Sequence, residues 1–306
     1  MEEHMSTVLE FEERFNNEKA CLEYLIQIRW PNGFCCPRCG HEKAWITKRG
    51  LYRCQLCDIQ TSVTAGTIFH DRRKPLMLWF RAIWYVVNQK NGVSALGLQK
   101  ILGLGSYRTA WTWLHKLRTA MVRPGRDRLS GIVEVDETYI GGKKPGKQGR
   151  GATGKSLVLV AVEDKGKHFG RIRLSRIADA SKESLIPAVQ KSVEKGSLVR
   201  TDGWSGYKQL PLNGYRHSVV RNSTNVGDNL LPLASRVAAL LKSWLQGTHQ
   251  GAVHPSHLDY YLDEFTFRFN RRTSQSRGKL FYRLVQQAVA ILPVTGQDIL
   301  GGREFL

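Results

Sequence analysis

Hydrophobic and polar positions divide the chain near its middle. Before residue 123 the apolar residues recur at helical spacing, and after it they gather into short strand-like runs. In the first part, residues 17–28 predict a short helix that enters a turn at Trp30-Pro31-Asn32-Gly33. An apolar, aromatic stretch from Pro75 to about Lys90 predicts a helix with the proline in its first turn. A second helix is expected over residues 93–102. After the glycine-broken Leu102-Gly103-Leu104-Gly105, Ser106 can cap a third helix running to about Met121. On that third helix Ala110, Trp113, Leu114 and Leu117 share one face. Arg123-Pro124-Gly125 reads as a linker. Beyond it strands are expected at residues 132–135, 157–162, 170–174, 198–201 and 215–220. Helices are expected at 181–194, 230–245 and 256–270. The order is three strands, helix, two strands, then helices, with no long-period repeat. The longest apolar run, residues 76–87, is broken by Arg81, so no segment is expected to span a bilayer.

Composition narrows the class. The chain has 306 residues, enough for two or three domains, and its 42% hydrophobic content supports packed cores. Lys and Arg number 46 against 26 Asp and Glu, a net charge of +20. Such an excess favours a polyanion, because each phosphate contact releases counterions. There is no basic amphipathic helix with a clean apolar face, which argues for nucleic acid over a membrane surface. The acidic N-terminus has no signal-peptide core, so a cytoplasmic location is expected, and six cysteines there suggest metal or buried thiols rather than disulfides.

Four of the cysteines form two knuckles, Cys36-Pro37-Arg38-Cys39 and Cys54-Gln55-Leu56-Cys57, with 14 residues between Cys39 and Cys54. Each C-x-x-C turn lets two thiolates meet one ion. Two turns fill all four tetrahedral positions of Zn²⁺, leaving none for water, so this zinc is expected to be structural. Cys35 has the wrong spacing, and Cys21 reads as a small hydrophobe on its helix. Residues 93–121 have the helix, glycine turn and helix of a helix-turn-helix. Their last helix offers Tyr107, Arg108, Thr112, His115, Lys116 and Arg118 to phosphates or base edges. Gly149 to Ser156 fits G-x-x-x-x-G-K-S. The match is set aside because it opens a β-branched strand rather than a helix.

In the second part, Asp136 and Asp202 each end an apolar strand. If those strands are neighbours, the two carboxylates converge at one sheet edge, where a divalent cation relieves their repulsion. Hard oxygen ligands suit Mg²⁺ or Mn²⁺, which support phosphodiester chemistry. A further ligand is expected from residues 230–245. There Ser235 and Lys242 share a helix face; the lysine can hold a phosphate, and the serine is a poor metal ligand.

These segments together resemble a known family. The cysteine region, residues 60–69 (QTSVTAGTIF), 133–142 (VEVDETYIGG), 201–207 (TDGWSGY) and 261–272 (YLDEFTFRFNRR) look like bacterial insertion-sequence transposases. That family carries an N-terminal zinc ribbon and an RNase H-like, DDE-type (ISXO2-like) catalytic domain. The resemblance implies an α/β fold with an RNase H-like mixed sheet and flanking helices, preceded by the ribbon and a helix-turn-helix-like segment. It divides the chain at residues 1–70, 71–125 and 126–306. It also implies metal-dependent cleavage and joining of double-stranded DNA, at element ends and target, by a homo-oligomer. Asp136 matches the first catalytic aspartate, Asp202 the second, and Lys242 the lysine after the third position. The third position itself falls on Ser235, where the family carries Glu, Asn or His. Asp228, Asp263 and Glu264 are the other acids within reach in sequence. Arg108 and Lys116, with Arg268, Arg271 and Arg272, are expected to meet phosphates. Ser235 leaves open a DNA-binding protein without catalysis, a regulator or decayed transposase. A nuclease that cuts without joining is a third reading.

Overall fold

The computed structural model describes residues 5–123, 125–141, 155–166, 168–220, 230–251 and 253–303. In chain order the elements are α1 (Val8–Arg14), α2 (Glu18–Arg29), β1 (Ala44–Ile46), β2 (Tyr52–Cys54), β3 (Gln60–Thr61), α3 (Leu76–Asn88), α4 (Ala95–Leu102) and α5 (Tyr107–Ala120). They continue with β4 (Ile132–Ile140), β5 (Ser156–Asp164), β6 (Phe169–Ile177), α6 (Lys182–Ser192), β7 (Leu198–Thr201), β8 (Arg216–Val219), α7 (Pro232–His249), α8 (Leu258–Asn270) and α9 (Arg277–Ala290). They form two compact units: Met1–Pro124 with Ser274–Ile299, and Gly125–Thr273 with Leu300–Leu306.

The first unit joins a small antiparallel sheet, in order β1-β2-β3, to a helical bundle. Rings of Phe11, Phe15, Tyr24, Phe80, Trp84 and Phe281 touch one another at its centre. Burying each such ring contributes about 1.5–3 kcal/mol. The bundle starts are fixed locally. The Asn17 side chain caps α2, and Ser94 caps α4. The α3 start has no cap of its own; the Glu18 carboxylate of α2 accepts from the Leu76 and Met77 amides at 2.9 and 3.1 Å. Gly103 ends α4 at φ +61°, a left-handed position that a Cβ disfavours, and so allows the turn into α5. One expectation is corrected here. Residues 274–299 do not join the rest of 126–306. They pack with the first unit, because α9 buries Leu280, Phe281, Leu284, Val285 and Ala288 in the aromatic bundle.

The second unit is built on a five-stranded mixed sheet in order β6-β5-β4-β7-β8. β4, β5 and β6 are antiparallel, whereas β4–β7 and β7–β8 are parallel. This is the RNase H-like mixed sheet with flanking helices that the sequence resemblance implies. β5 is buried along its whole middle, so its two alternating faces feed two cores. Leu157, Leu159 and Ala161 pack with Val133 and Val135 against Leu185 and Val189 of α6. Val158, Val160 and Val162 pack against Val237 and Leu241 of α7 and Leu262 and Phe265 of α8. Glu163 on β5 is buried and paired with Arg171. Gly170 opposite it has no room for a side chain, since a Cβ would lie 2.5 Å from the Glu163 Cβ.

Candidate functional site

The ribbon's ligand atoms meet as their spacing requires. The Sγ atoms of Cys36, Cys39, Cys54 and Cys57 all lie within 4.8 Å of one another. Cys36–Cys57 and Cys39–Cys54 are each 3.6 Å apart. A tetrahedron with Zn–S bonds of about 2.3 Å has edges of about 3.8 Å, so the set fits structural zinc. Both knuckles close by the same turn: the Gly40 amide donates to the Cys36 carbonyl, and the Asp58 amide to that of Cys54. Gly40 reaches φ +74° freely. Asp58 holds φ +63° without that freedom, gripped by Arg53 Nε and Nη2 at 2.5 and 2.7 Å. Cys35 is exposed and outside the cluster. Cys21 is buried, and burial pushes its thiol up to about 12, so it stays protonated and packs as an apolar group.

The two candidate aspartates follow the paired ends of neighbouring parallel strands. β4 and β7 run parallel with Ile132 opposite Leu198, Val133 opposite Val199 and Glu134 opposite Arg200. The pairing ends there; Asp136 lies two residues further along β4, and Asp202 follows the last residue of β7. Each carboxylate is held by local backbone. Asp136 Oδ1 accepts from the Glu137 amide at 2.9 Å, and Asp202 Oδ1 from the Trp204 amide at 2.9 Å. The TDGWSGY segment has a physical reading. Gly203 sits at φ +83°, and at Gly206 a Cβ would come within 2.6 Å of the Leu185 side chain, so the turn closes only with glycine. Behind the pair lies Tyr207, fully buried. Burial, and then the negative charges of Glu137, Asp136 and Asp202, hold its phenol protonated well above the ordinary range.

α7 supplies the other two positions. Ala234, Val237 and Leu241 face the sheet; Ser235 is half-buried and Lys242 exposed. Seven residues correspond to about 10.5 Å along the axis, so Ser235 and Lys242 lie two turns apart on one side. The helix begins with Leu231 at its cap position and no side-chain cap of its own. Instead, Glu134 of β4 reaches across, and its Oε2 accepts the Leu233 and Ala234 amides at 2.8 and 3.0 Å. Glu134 escaped the sequence reading. Its one visible signal is a charged residue on the alternating apolar strand Val133-Glu134-Val135.

Other candidates are placed elsewhere. Asp263 pairs with Arg303 and Glu264 with Arg268 at 2.7 Å, so neither joins the carboxylate pair. A nearly buried Glu264 holds the Arg268 guanidinium, whose side chain is 14% exposed. Arg271 lies over the Phe267 ring, and Arg272 over that of Phe269 while donating to the Phe169 carbonyl at 2.6 Å. On α5, His115 and Arg118 are buried and 3.4 Å apart, which removes both from the surface. Arg108 is exposed at the start of α5. Lys116 is half-buried, and burial lowers its pKa against the opposing pull of Asp71 and Asp298. Asp228 and most of the residue 149–156 motif lie outside the described residues. No helix among the described residues is long and apolar enough to cross a membrane.

Known proteins share both parts. Residues 128–270 match the ISXO2-like transposase domain, and residues 16–60 match the transposase zinc-ribbon domain. In class, then, the chain carries two transposase domains: the five-stranded sheet lies within one and the four-cysteine ribbon within the other. The chain belongs to the insertion-sequence transposases with an ISXO2-like domain and a zinc ribbon. An uncharacterized protein in transposable element ISH50 of Halobacterium salinarum is 27% identical over 278 residues, covering 83% of this chain and 91% of its own length.

Proposed function

We propose that the second unit cuts and joins double-stranded DNA at the ends of an insertion sequence. The observation that supports this is the parallel β4–β7 pairing up to Glu134 and Arg200; Asp136 and Asp202 each follow two residues later on the neighbouring chain segments. Two such carboxylates suit Mg²⁺ or Mn²⁺, and such ions, when bound, activate an attacking oxygen and stabilise the leaving one. Asp136 and Asp202 would hold the ions. Ser235 lines the third position with a hydroxyl in place of a carboxylate or imidazole. Lys242 binds a backbone phosphate beyond it. Cleavage exposes a 3′-hydroxyl that attacks target DNA. In the first unit, four thiolates hold a structural zinc, and the outward side of α5, led by Arg108 and joined by Lys116, meets the duplex. Arg271 and Arg272 lie near the end of α8, where they can touch phosphates. Two DNA ends are brought together by two or more copies of the chain. Double-stranded DNA carrying the repeats that flank the gene, incubated with Mn²⁺ and analysed on sequencing gels, tests this. Products with free 3′-hydroxyls that become joined to target DNA support it. Nicks that never join would reduce the protein to a nuclease.

A further inference from the structure

We propose that Glu134 is a positioning residue: its carboxylate pins the start of α7 to β4, and so sets Ser235 and Lys242 against Asp136. The proposal rests on the DNA-cutting reading above. A helix start leaves four amides without partners inside the helix. Serine, threonine, aspartate or asparagine at the cap position ordinarily satisfies one of them. α7 has Leu231 there and Pro232 next, and neither side chain can accept. The acceptor comes instead from the neighbouring strand. One oxygen of Glu134, buried at 4% exposure, takes the amides of Leu233 and Ala234. A carboxylate at a helix start is also favoured by the helix dipole.

The consequence follows from alternation. Glu134 and Asp136 are two residues apart on one strand, so they face the same side of the sheet. The amides Glu134 binds belong to the two residues immediately before Ser235. A single side chain therefore ties the strand of the first aspartate to the helix turn of the third position. An error of about 1 Å between reacting groups can cost about 100-fold in rate, which is the scale of effect expected when the tie is cut.

Glu134→Ala removes the acceptor. Glu134→Gln keeps one oxygen that can take both amides and loses only the charge. Three readouts are compared in the full chain: single-turnover cleavage at saturating DNA, DNA affinity, and hydrogen exchange of the Leu233 and Ala234 amides without metal. The expected result is rapid exchange and about 100-fold slower cleavage in Glu134→Ala at unchanged DNA affinity, with Glu134→Gln close to wild type in all three. Equal cleavage in Glu134→Ala and wild type overturns the proposal. So does a Glu134→Gln protein that keeps its amides protected yet fails to cut, since the carboxylate would then act through its charge. If the wild-type chain does not cut, the DNA-cutting reading fails separately. Amide exchange and Mn²⁺ affinity still decide the tie: fast exchange and weakened Mn²⁺ binding in Glu134→Ala alone support it, and no difference among the three proteins overturns it.

Discussion

In the ribbon, four thiols converge from two turns 21 residues apart or less, and each turn is closed by its own backbone hydrogen bond. On the sheet, the two aspartates are separated in sequence by a hairpin and a helix, and the parallel β4–β7 pairing ends two residues before each of them. The first site is complete in itself: four soft ligands, one tetrahedron and no open position. The second, as proposed, has two hard carboxylate ligands and a hydroxyl at Ser235, which is a poor metal ligand. A site meant to hold an ion permanently can be written into one short segment. A site meant to exchange ligands with a substrate depends on how distant elements are packed, and therefore on residues such as Glu134 that never touch the ion.

Breaking the ribbon should give the largest effect. Cys54→Ser, or a strong chelator, should release one zinc per chain. It should also unfold residues 34–61, because apparent binding of structural zinc stabilises such folds by about 10 kcal/mol. Zinc release measured with a colorimetric chelator, alongside circular dichroism, checks this; a ribbon that keeps its fold without metal contradicts it. Next in size, Asp202→Ala should slow metal-dependent cleavage on the order of 10³-fold or more while leaving DNA affinity in place. Filter binding and cleavage on the same duplex separate the two.

Arg268 gives a third contrast, between a structural charge and a DNA contact. Removing it leaves Glu264 charged and buried, so Arg268→Ala should destabilise the second unit by about 3–5 kcal/mol in denaturant titrations. The paired change Arg268→Met with Glu264→Leu should recover most of that loss. The salt dependence of DNA binding should not change in either, whereas Arg108→Ala should lower its slope by about 1. A reduced slope in the paired Arg268 variant would return that residue to the DNA surface. The smallest effect concerns acid. Burial alone would raise the Glu163 pKa, but Arg171 and the amides of Arg171 and Ser130 outweigh it and hold the carboxyl below its ordinary 4.5. A depressed carboxylate pKa contributes stability above about pH 4.5 that is lost as pH falls through the lower folded value. Glu163→Gln should therefore flatten the acid limb of a stability–pH curve, and an unchanged limb would show that Arg171 is not stabilising it.

Much of this was legible in the sequence, and the failures have physical causes. The knuckles could be read because zinc geometry constrains a short spacing. The α4–α5 turn could be read from Gly103 and the face Ala110, Trp113, Leu114 and Leu117. Strand β4 was expected at residues 132–135 but runs Ile132–Ile140. Antiparallel pairing with β5 extends it to Ile140 opposite Ser156, past the apolar run. α1 was missed because its acidic residues mask Phe11, which is buried among aromatic rings. α9 shows helical spacing in Leu280, Phe281 and Leu284, yet its partners lie in α2, α3 and α5, far away in sequence. Arg118 and Arg268 look alike as letters among basic neighbours, and burial distinguishes them from Arg108. The carboxylate that fastens α7 depends on an unusual cap, which no local pattern announces.

The central claim is that Asp136 and Asp202 form the cutting centre despite Ser235. It is tested most directly by single-turnover cleavage of an end-labelled duplex carrying the gene's flanking repeats, with Mg²⁺ or Mn²⁺, by wild type, Asp136→Ala and Ser235→Glu. The account predicts metal-dependent cutting by wild type, its loss in Asp136→Ala, and faster cutting in Ser235→Glu. Cutting that survives Asp136→Ala, or a wild-type chain that binds the duplex and never cuts it with either metal, would contradict the account.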